Sequence, residues 1–338
     1  MSGNVRLFDL FPREQKFLWE EVSNYQADVQ EIRIRTGKPV IVRMCGREIL
    51  LGKDGMFTTD LEDAYILNRK EMEDIFANFC RYSPYAFENE IRQGFMTVAG
   101  GHRIGICGQA VMEEGKIKII KNISSMNVRI SHQIIGVSDR ILSHIYLKGI
   151  PQNTLILSPP GCGKTTMLRD LIRQISDGNS YGVGCRVCVV DERSEIAASW
   201  MGVPQNNLGL RTDVLDACSK QEGVMLLIRS MAPQVLAVDE IGGEEDMEVL
   251  SYASTCGSRI LATAHGESLD DFIQKMNARW NNFFSCIVLL GKKEGQPVIC
   301  GIYRGGNDVS ETDRSMYDFI GMPGYGDNVS QKGTTESK

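Results

Sequence analysis

No stretch of this 338-residue chain reads as a membrane helix. Its apolar run Cys286–Leu290 is far short of the roughly 20 residues a span requires. The start of the chain also lacks the apolar core of a secretory leader, because Arg13, Glu14, Lys16, Glu20 and Glu21 follow within a few positions. Both absences predict a cytosolic protein. Basic excess is missing too: the formal net charge is -6 and the sequence pI about 5.4, a balance that repels phosphate backbones and demotes nucleic acid as a partner. Cysteine is plentiful, with ten residues, but it is scattered through apolar segments as expected in a reducing compartment. Cys185 and Cys188 have the spacing of metal ligands. Their strand pattern puts them on opposite faces and no second pair matches them, which argues against zinc.

What the chain does have is an ordinary globular composition, 42% apolar and 24% charged, and enough length for two cores. Residues 1–134 read as an α+β domain. A helical pattern between Phe11 and Ala27 gives way to alternating strands through Leu51; helical stretches at Lys70–Cys80 and Pro84–Arg92 follow, then a strand-rich stretch from Gly94 to Ile130. Residues 135–322 change character. After a helix at Asp139–Leu147, strands at 154–157, 186–190, 235–238 and 259–263 alternate with helices at 164–175, up to Met231, 244–255 and 268–277. Further strands lie near 286–290 and 297–303. That order predicts an α/β core with a parallel sheet covered on both faces. The tail 323–338 is rich in Gly, Ser, Thr, Asn and Lys and is expected to be disordered.

The junction of the first core strand and its helix carries the chemistry. Ser158-Pro159-Pro160-Gly161-Cys162-Gly163-Lys164-Thr165-Thr166 follows Thr154–Leu157 and precedes an amphipathic helix, which is the setting of a phosphate-binding loop. Glycines let backbone N–H groups close around a phosphate, the helix start adds positive potential, and the Lys164 ammonium spans phosphate oxygens. Thr165 would place a hydroxyl on Mg²⁺. Ser158 occupies the position of the first glycine, which a negative φ would tolerate. The pattern implies binding of ATP with Mg²⁺.

Three more strands end in polar residues, and strand ends of one parallel sheet converge on one edge. Val235–Val238 runs into Asp239 and Glu240, a pair suited to hold the metal and to activate water respectively. Val187–Val190 runs into Asp191, Glu192 and Glu195. Those glutamates serve either the nucleotide or the positive end of a following helix. Ile260–Ala262 leads to Thr263 and His265, and His265 either contacts the γ-phosphate or caps the strand.

Together, Asp191–Glu195, Ile228–Pro233, Asp239–Glu244 and Thr263–His265 resemble the aspartate box, arginine-proline segment, Walker B region and histidine box of the secretion-type ATPases, the motors of type II and type IV secretion and pilus systems. The similarity extends to Ile32–Pro39 and Arg81–Ala86, and is strongest to a branch found in endospore-forming bacteria. It implies a RecA-like P-loop NTPase core and a homo-oligomeric ring, of six subunits, in which arginines of the N-terminal domain reach the phosphates. Arg103 and Arg129 are the candidates; each is equally well read as a surface or salt-bridge residue, and Arg229 is likewise open. The resemblance leaves open whether Glu240 or Glu192 is the principal base. It also implies an integral membrane partner, part of a channel complex between mother cell and forespore, and a membrane location reached through that partner alone. Two departures stand out: Asp239 replaces a common glycine, and the four-cysteine zinc element is missing. The same site would serve a hydrolysing motor or a nucleotide-gated assembly factor, with a nucleic-acid-dependent NTPase ranking below both.

Overall fold

The computed structural model describes residues 7–268, 272 and 283–304. Apolar alternation and turn glycines build a first sheet from β1 (Val29–Arg35), β2 (Ile41–Met44), β3 (Arg47–Leu51) and β4 (Phe57–Thr58), joined after two helices by β5 (Phe95–Thr97), β6 (Arg103–Glu113) and β7 (Lys116–Arg129). The helices are α1 (Lys16–Asn24), which precedes β1, and α2 (Arg69–Phe79) and α3 (Glu88–Arg92), which precede β5. Asn68 caps α2: its side chain accepts from Glu71 N–H while the Glu71 carboxylate accepts from Asn68 N–H, a reciprocal box that fixes the helix start. Strand order is β4-β3-β2-β1-β7-β6-β5, antiparallel throughout. Met72, Ile75 and Phe79 of α2 and Leu18, Trp19 and Val22 of α1 pack with Ile32, Ile34, Val42 and Ile104 in one core.

The second half begins with α4 (Asp139–Ile145), which ends two residues before the expected Leu147. There β8 (Tyr146–Leu147) pairs with β9 (Ile150–Pro151). Next come β10 (Thr154–Ser158), α5 (Lys164–Asp177), the small hairpin β11 (Gly178–Asn179) and β12 (Gly182–Val183), then β13 (Val187–Asp191), β14 (Thr212–Asp216), α6 (Lys220–Met231), β15 (Val235–Ile241), α7 (Glu244–Thr255) and β16 (Arg259–His265). A final hairpin, β17 (Cys286–Lys293) and β18 (Gln296–Arg304), completes the described chain. The helix expected at 268–277 and the tail at 323–338 fall essentially outside the described residues.

These strands form a sheet of order β14-β13-β15-β16-β10-β17-β18. Six run parallel, and β18 turns back antiparallel on β17, so the sheet is mixed rather than purely parallel. β14 was not expected at all; only Val214 and Leu215 of its five residues are apolar, which suffices at an edge with one neighbour. Alternation divides the interior strands between two cores. Ile156, Val187, Val189, Val235 and Ala237 face α4 and α5, whereas Leu155, Leu157, Cys188, Val190, Leu236 and Val238 face α6 and α7. Cys185 and Cys188 accordingly lie in different cores on opposite sides of the sheet.

Helix α5 also carries two buried ionic side chains. The Asp170 carboxylate, 1% exposed, accepts from Ser138 N–H (2.9 Å) and Oγ–H (2.7 Å), and from Arg173 Nε and Nη2 (3.0 and 2.7 Å). Burial alone would raise its pKa; the donors of Ser138 and Arg173 override that and hold it below the ordinary value. Residues 134–138, which lead from the first sheet to the second, are thereby tied to α5. Asp170→Ala should cost about 3–5 kcal/mol by leaving Arg173 and Ser138 unpaired. Urea denaturation reads this directly, and an unchanged midpoint would show that the junction is held by something else.

Candidate functional site

The parallel strands deliver their polar ends to one edge, where β10 stops at Ser158 and the loop 159–163 turns into α5. Ser158 is fully buried inside the strand, outside the left-handed region, and its Oγ donates to Pro159 O at 2.8 Å. Gly163 takes φ +85° as the N-cap of α5, a conformation that opens the helix start and that a side chain strains. The hairpin β17–β18 closes this loop from one side, with Pro297 next to Gly163 and the Lys292 ammonium next to Gly161. Behind the loop lies a cavity of about 200 Å³ lined by Ile134, Val137, Met167, Leu290 and Pro297 together with the loop glycines. An apolar slot beside a phosphate loop suits a flat base.

Lys164 opens α5 and points toward the ends of β15 and β16. Its Nζ lies 3.9 Å from Glu240 Oε2 and 3.3 Å from His265 Nε2, and His265 Nε2 lies 2.8 Å from Glu240 Oε1. A carboxylate only accepts, so His265 donates through Nε2 to Glu240, and its buried Nδ1 has no partner among the described residues. Three candidate residues from three elements therefore meet in one ionic cluster. Asp239, buried beside them in β15, accepts from Thr263 Oγ1 at 3.0 Å. A threonine hydroxyl on α5 and a carboxylate at a strand end are hard oxygen donors of the kind Mg²⁺ takes alongside phosphate and water. Thr165 and Asp239 have the chemistry for that metal.

Glu192 is engaged elsewhere. Its Oε2 pairs with Lys220 Nζ at 2.5 Å, and the same ammonium is 3.9 Å from Asp246 Oδ2. Asp191 is fully buried and accepts from the N–H groups of Glu195, Ile196 and Ala197 (2.9, 3.0 and 2.8 Å), so it shapes the following loop. Burial pushes its carboxyl up to about 6 against those donors. Sequence reading missed Lys220 and Arg169. Both are cations in helical patterns, and only their distant partners reveal them.

The arginines divide. Arg103 Nη1 lies 3.5 Å from Glu195 Oε1, with its guanidinium over the Phe95 ring; burial pulls its pKa down while Glu195 pushes it back. This places a residue of the first sheet against the aspartate-box loop. Arg129 is Arg103's cross-strand partner and is exposed. Arg229 occupies the last turn of α6, which runs back from the carboxyl edge of the sheet. It therefore sits at the opposite edge from Lys164 and is not brought to the cluster.

The sheet order and the loop between β10 and α5 define the class: a RecA-like P-loop fold. Similar solved structures are the pilus retraction motor PilT with bound ADP (TM-score 0.56, 15% identity, 86% of this chain and 83% of that one) and the ATPase DotB of Legionella pneumophila (TM-score 0.53, 15% identity, 85% and 78%). The chain belongs to the family described as sporulation stage III, protein AA, which matches residues 7–309. It is 37% identical over 309 residues to the stage III sporulation protein AA of Bacillus subtilis (strain 168), spanning 90% of this chain and 96% of that protein.

The loop Val98–Arg103 forms the seam between the sheets. Gly100 N–H donates to Gln205 Oε1 at 2.8 Å, and a Cβ at Gly101 (φ +75°) would meet Ala198 Cβ at 2.9 Å. His102, 3% exposed, accepts from Ser131 N–H through Nδ1, and burial, with His132 adding, lowers its pKa to about 4. The unfolded chain thus binds a proton between about pH 6.5 and 4 that the folded chain refuses, so stability falls as pH drops through that window. His102→Gln should flatten this slope in urea melts at pH 4.5 and 7. A slope equal to wild type would mean that other groups set the acid sensitivity.

Proposed function

We propose that this protein is an ATP hydrolase of the secretion type. It works in sporulation as a homo-oligomeric ring that couples hydrolysis to the assembly of, or transport through, a membrane channel complex. The observation that carries the reading is the meeting of Lys164, Glu240 and His265 at the end of the phosphate loop. Backbone N–H groups of Gly161–Thr166 would bind the phosphates, and the Lys164 ammonium would leave Glu240 for the β- and γ-oxygens. Glu240, released from that ion pair, is then free to accept a proton from the attacking water. His265 keeps Glu240 oriented and would sense the terminal phosphate. Thr165 and Asp239 would hold Mg²⁺, which would supply charge neutralisation on the phosphates.

In this reading residues 1–134 form a moving N-terminal domain and 135–322 the ATPase core. Arg103, already against the aspartate-box loop, and Arg129 beside it supply positive charge as the bond breaks. Among the described residues no helix is long and apolar enough to cross a membrane, and a membrane-embedded partner would supply the attachment. A nucleotide-gated assembly factor with slow turnover is the second reading. It is favoured by the engagement of Glu240 with both Lys164 and His265, which must be broken before the base can act.

Calorimetry on Lys164→Ala should show loss of ATP binding without loss of fold, and wild-type affinity would refute the role of Lys164. Glu240→Gln should bind ATP but turn it over at least about 100-fold more slowly, the usual weight of a general base. Arg103→Ala and Arg129→Ala should lower kcat more than ATP affinity; if both hydrolyse at wild-type rates, the first sheet does not complete the site. Turnover that stays slow with the membrane partner present would select the assembly factor.

A further inference from the structure

Helix α5 begins at the phosphate loop, yet its second turn grips a different part of the molecule. Arg169 is 8% exposed, five residues beyond Lys164, and its guanidinium donates from Nε to Ile196 O at 2.8 Å and from Nη2 to Glu195 O at 2.8 Å. Burial lowers its pKa, and the carboxylates of Asp191, Asp239 and Glu195 push it back, so the guanidinium sits among the acids of two strand ends. Asn206 donates to the same Ile196 carbonyl at 2.9 Å and thereby closes the loop 195–206. That loop carries two polar contacts with the first sheet, Glu195 with Arg103 and Gln205 with Gly100, beside the packing of Ala198 against Gly101 and of the Trp200 ring under Arg81. A continuous polar path therefore runs from the first turns of α5 through Arg169 to the loop 195–206, and on to Val98–Arg103.

We infer that Arg169 is a positioning residue that links nucleotide occupancy of the phosphate loop to the seam with the first sheet. It acts by holding two consecutive carbonyls of the aspartate-box loop to the helix that starts at the phosphate loop. Two planar, parallel donors on adjacent carbonyls fix both the position and the rotation of that loop, which a lysine ammonium does not do. When a phosphate orders the start of α5, the loop is ordered with it, and Gln205 and Glu195 pass the constraint to Gly100 and Arg103. The path rests on the proposed nucleotide reading. It adds a residue which that reading does not need for binding or for chemistry.

Amide hydrogen exchange with and without a non-hydrolysable ATP analogue and Mg²⁺ separates the two. In the wild-type full-length chain the analogue should slow exchange in three segments: 158–166, 195–206 and 98–103. Arg169→Lys should keep the protection of 158–166 and lose that of the other two segments by about fivefold or more, the lower range of coupling between sites. Gln205→Ala, a partly exposed position suited to a case where Arg169→Lys folds poorly, should keep 158–166 and 195–197 protected and lose only 98–103. Absence of wild-type protection at 158–166 overturns the nucleotide reading and this inference with it. Protection there without protection at 195–206 and 98–103, or full remote protection in Arg169→Lys, overturns the inference alone. A uniform loss across all three segments in Arg169→Lys also overturns it, because that marks a residue that only stabilises the helix.

Discussion

A buried guanidinium and a buried carboxylate cannot be left without partners in a protein interior, and α5 carries one of each at consecutive positions. Asp170 is satisfied by Ser138 and Arg173, and Arg169 by the carbonyls of Glu195 and Ile196. Consecutive residues stand about 100° apart around a helix, so these two grips leave α5 in different directions. One reaches the connection that arrives from the first sheet. The other reaches the loop that faces the first sheet again at its seam. Both segments that connect the two halves here are thus held by the one helix whose start builds the phosphate loop.

The strand-end cluster obeys the same rule at lower burial. Lys164 has lost most of its water and is balanced by Glu240, while His265 donates to that carboxylate. In the proposed reading an incoming polyphosphate would compete for Lys164 with the very group that would act next. Thr263 beneath Asp239 and Lys220 beside Glu192 hold the neighbouring acids apart, each with its own donor. The edge is therefore a set of carboxylates each held by its own donor.

Much of the fold was legible because its dominant signals are local. Alternation in Leu155–Leu157, Val187–Val190 and Val235–Val238 marks strands with two covered faces, and α7 spans Glu244–Thr255 as the pattern placed it. Thr212–Asp216 escaped because an edge strand buries little and its composition resembles a loop. The antiparallel return of β18 escaped because a hairpin of two short apolar runs looks the same as two further parallel strands. For the site, residues at strand ends were legible from order alone, since a parallel sheet gathers them. Arg169 and Lys220 were not, because a cation in a helical pattern reads as a solvated one until carbonyls and carboxylates 26 to 28 positions away are folded against it. Arg229 stood open in the sequence, and the structure puts it in the last turn of α6, a helix that runs back from the strands' carboxyl ends.

The serine that replaces the first loop glycine has a further consequence through the residues that follow it. A position before proline is held to extended backbone, so Ser158 has no use for glycine's freedom, and Pro159 is restricted in the same way by Pro160. The two pyrrolidine rings fix φ and offer no amide hydrogen. Two of the five loop residues are consequently stiff before anything binds, the loop's amides begin only at Gly161, and less chain entropy remains to be lost should a ligand settle there.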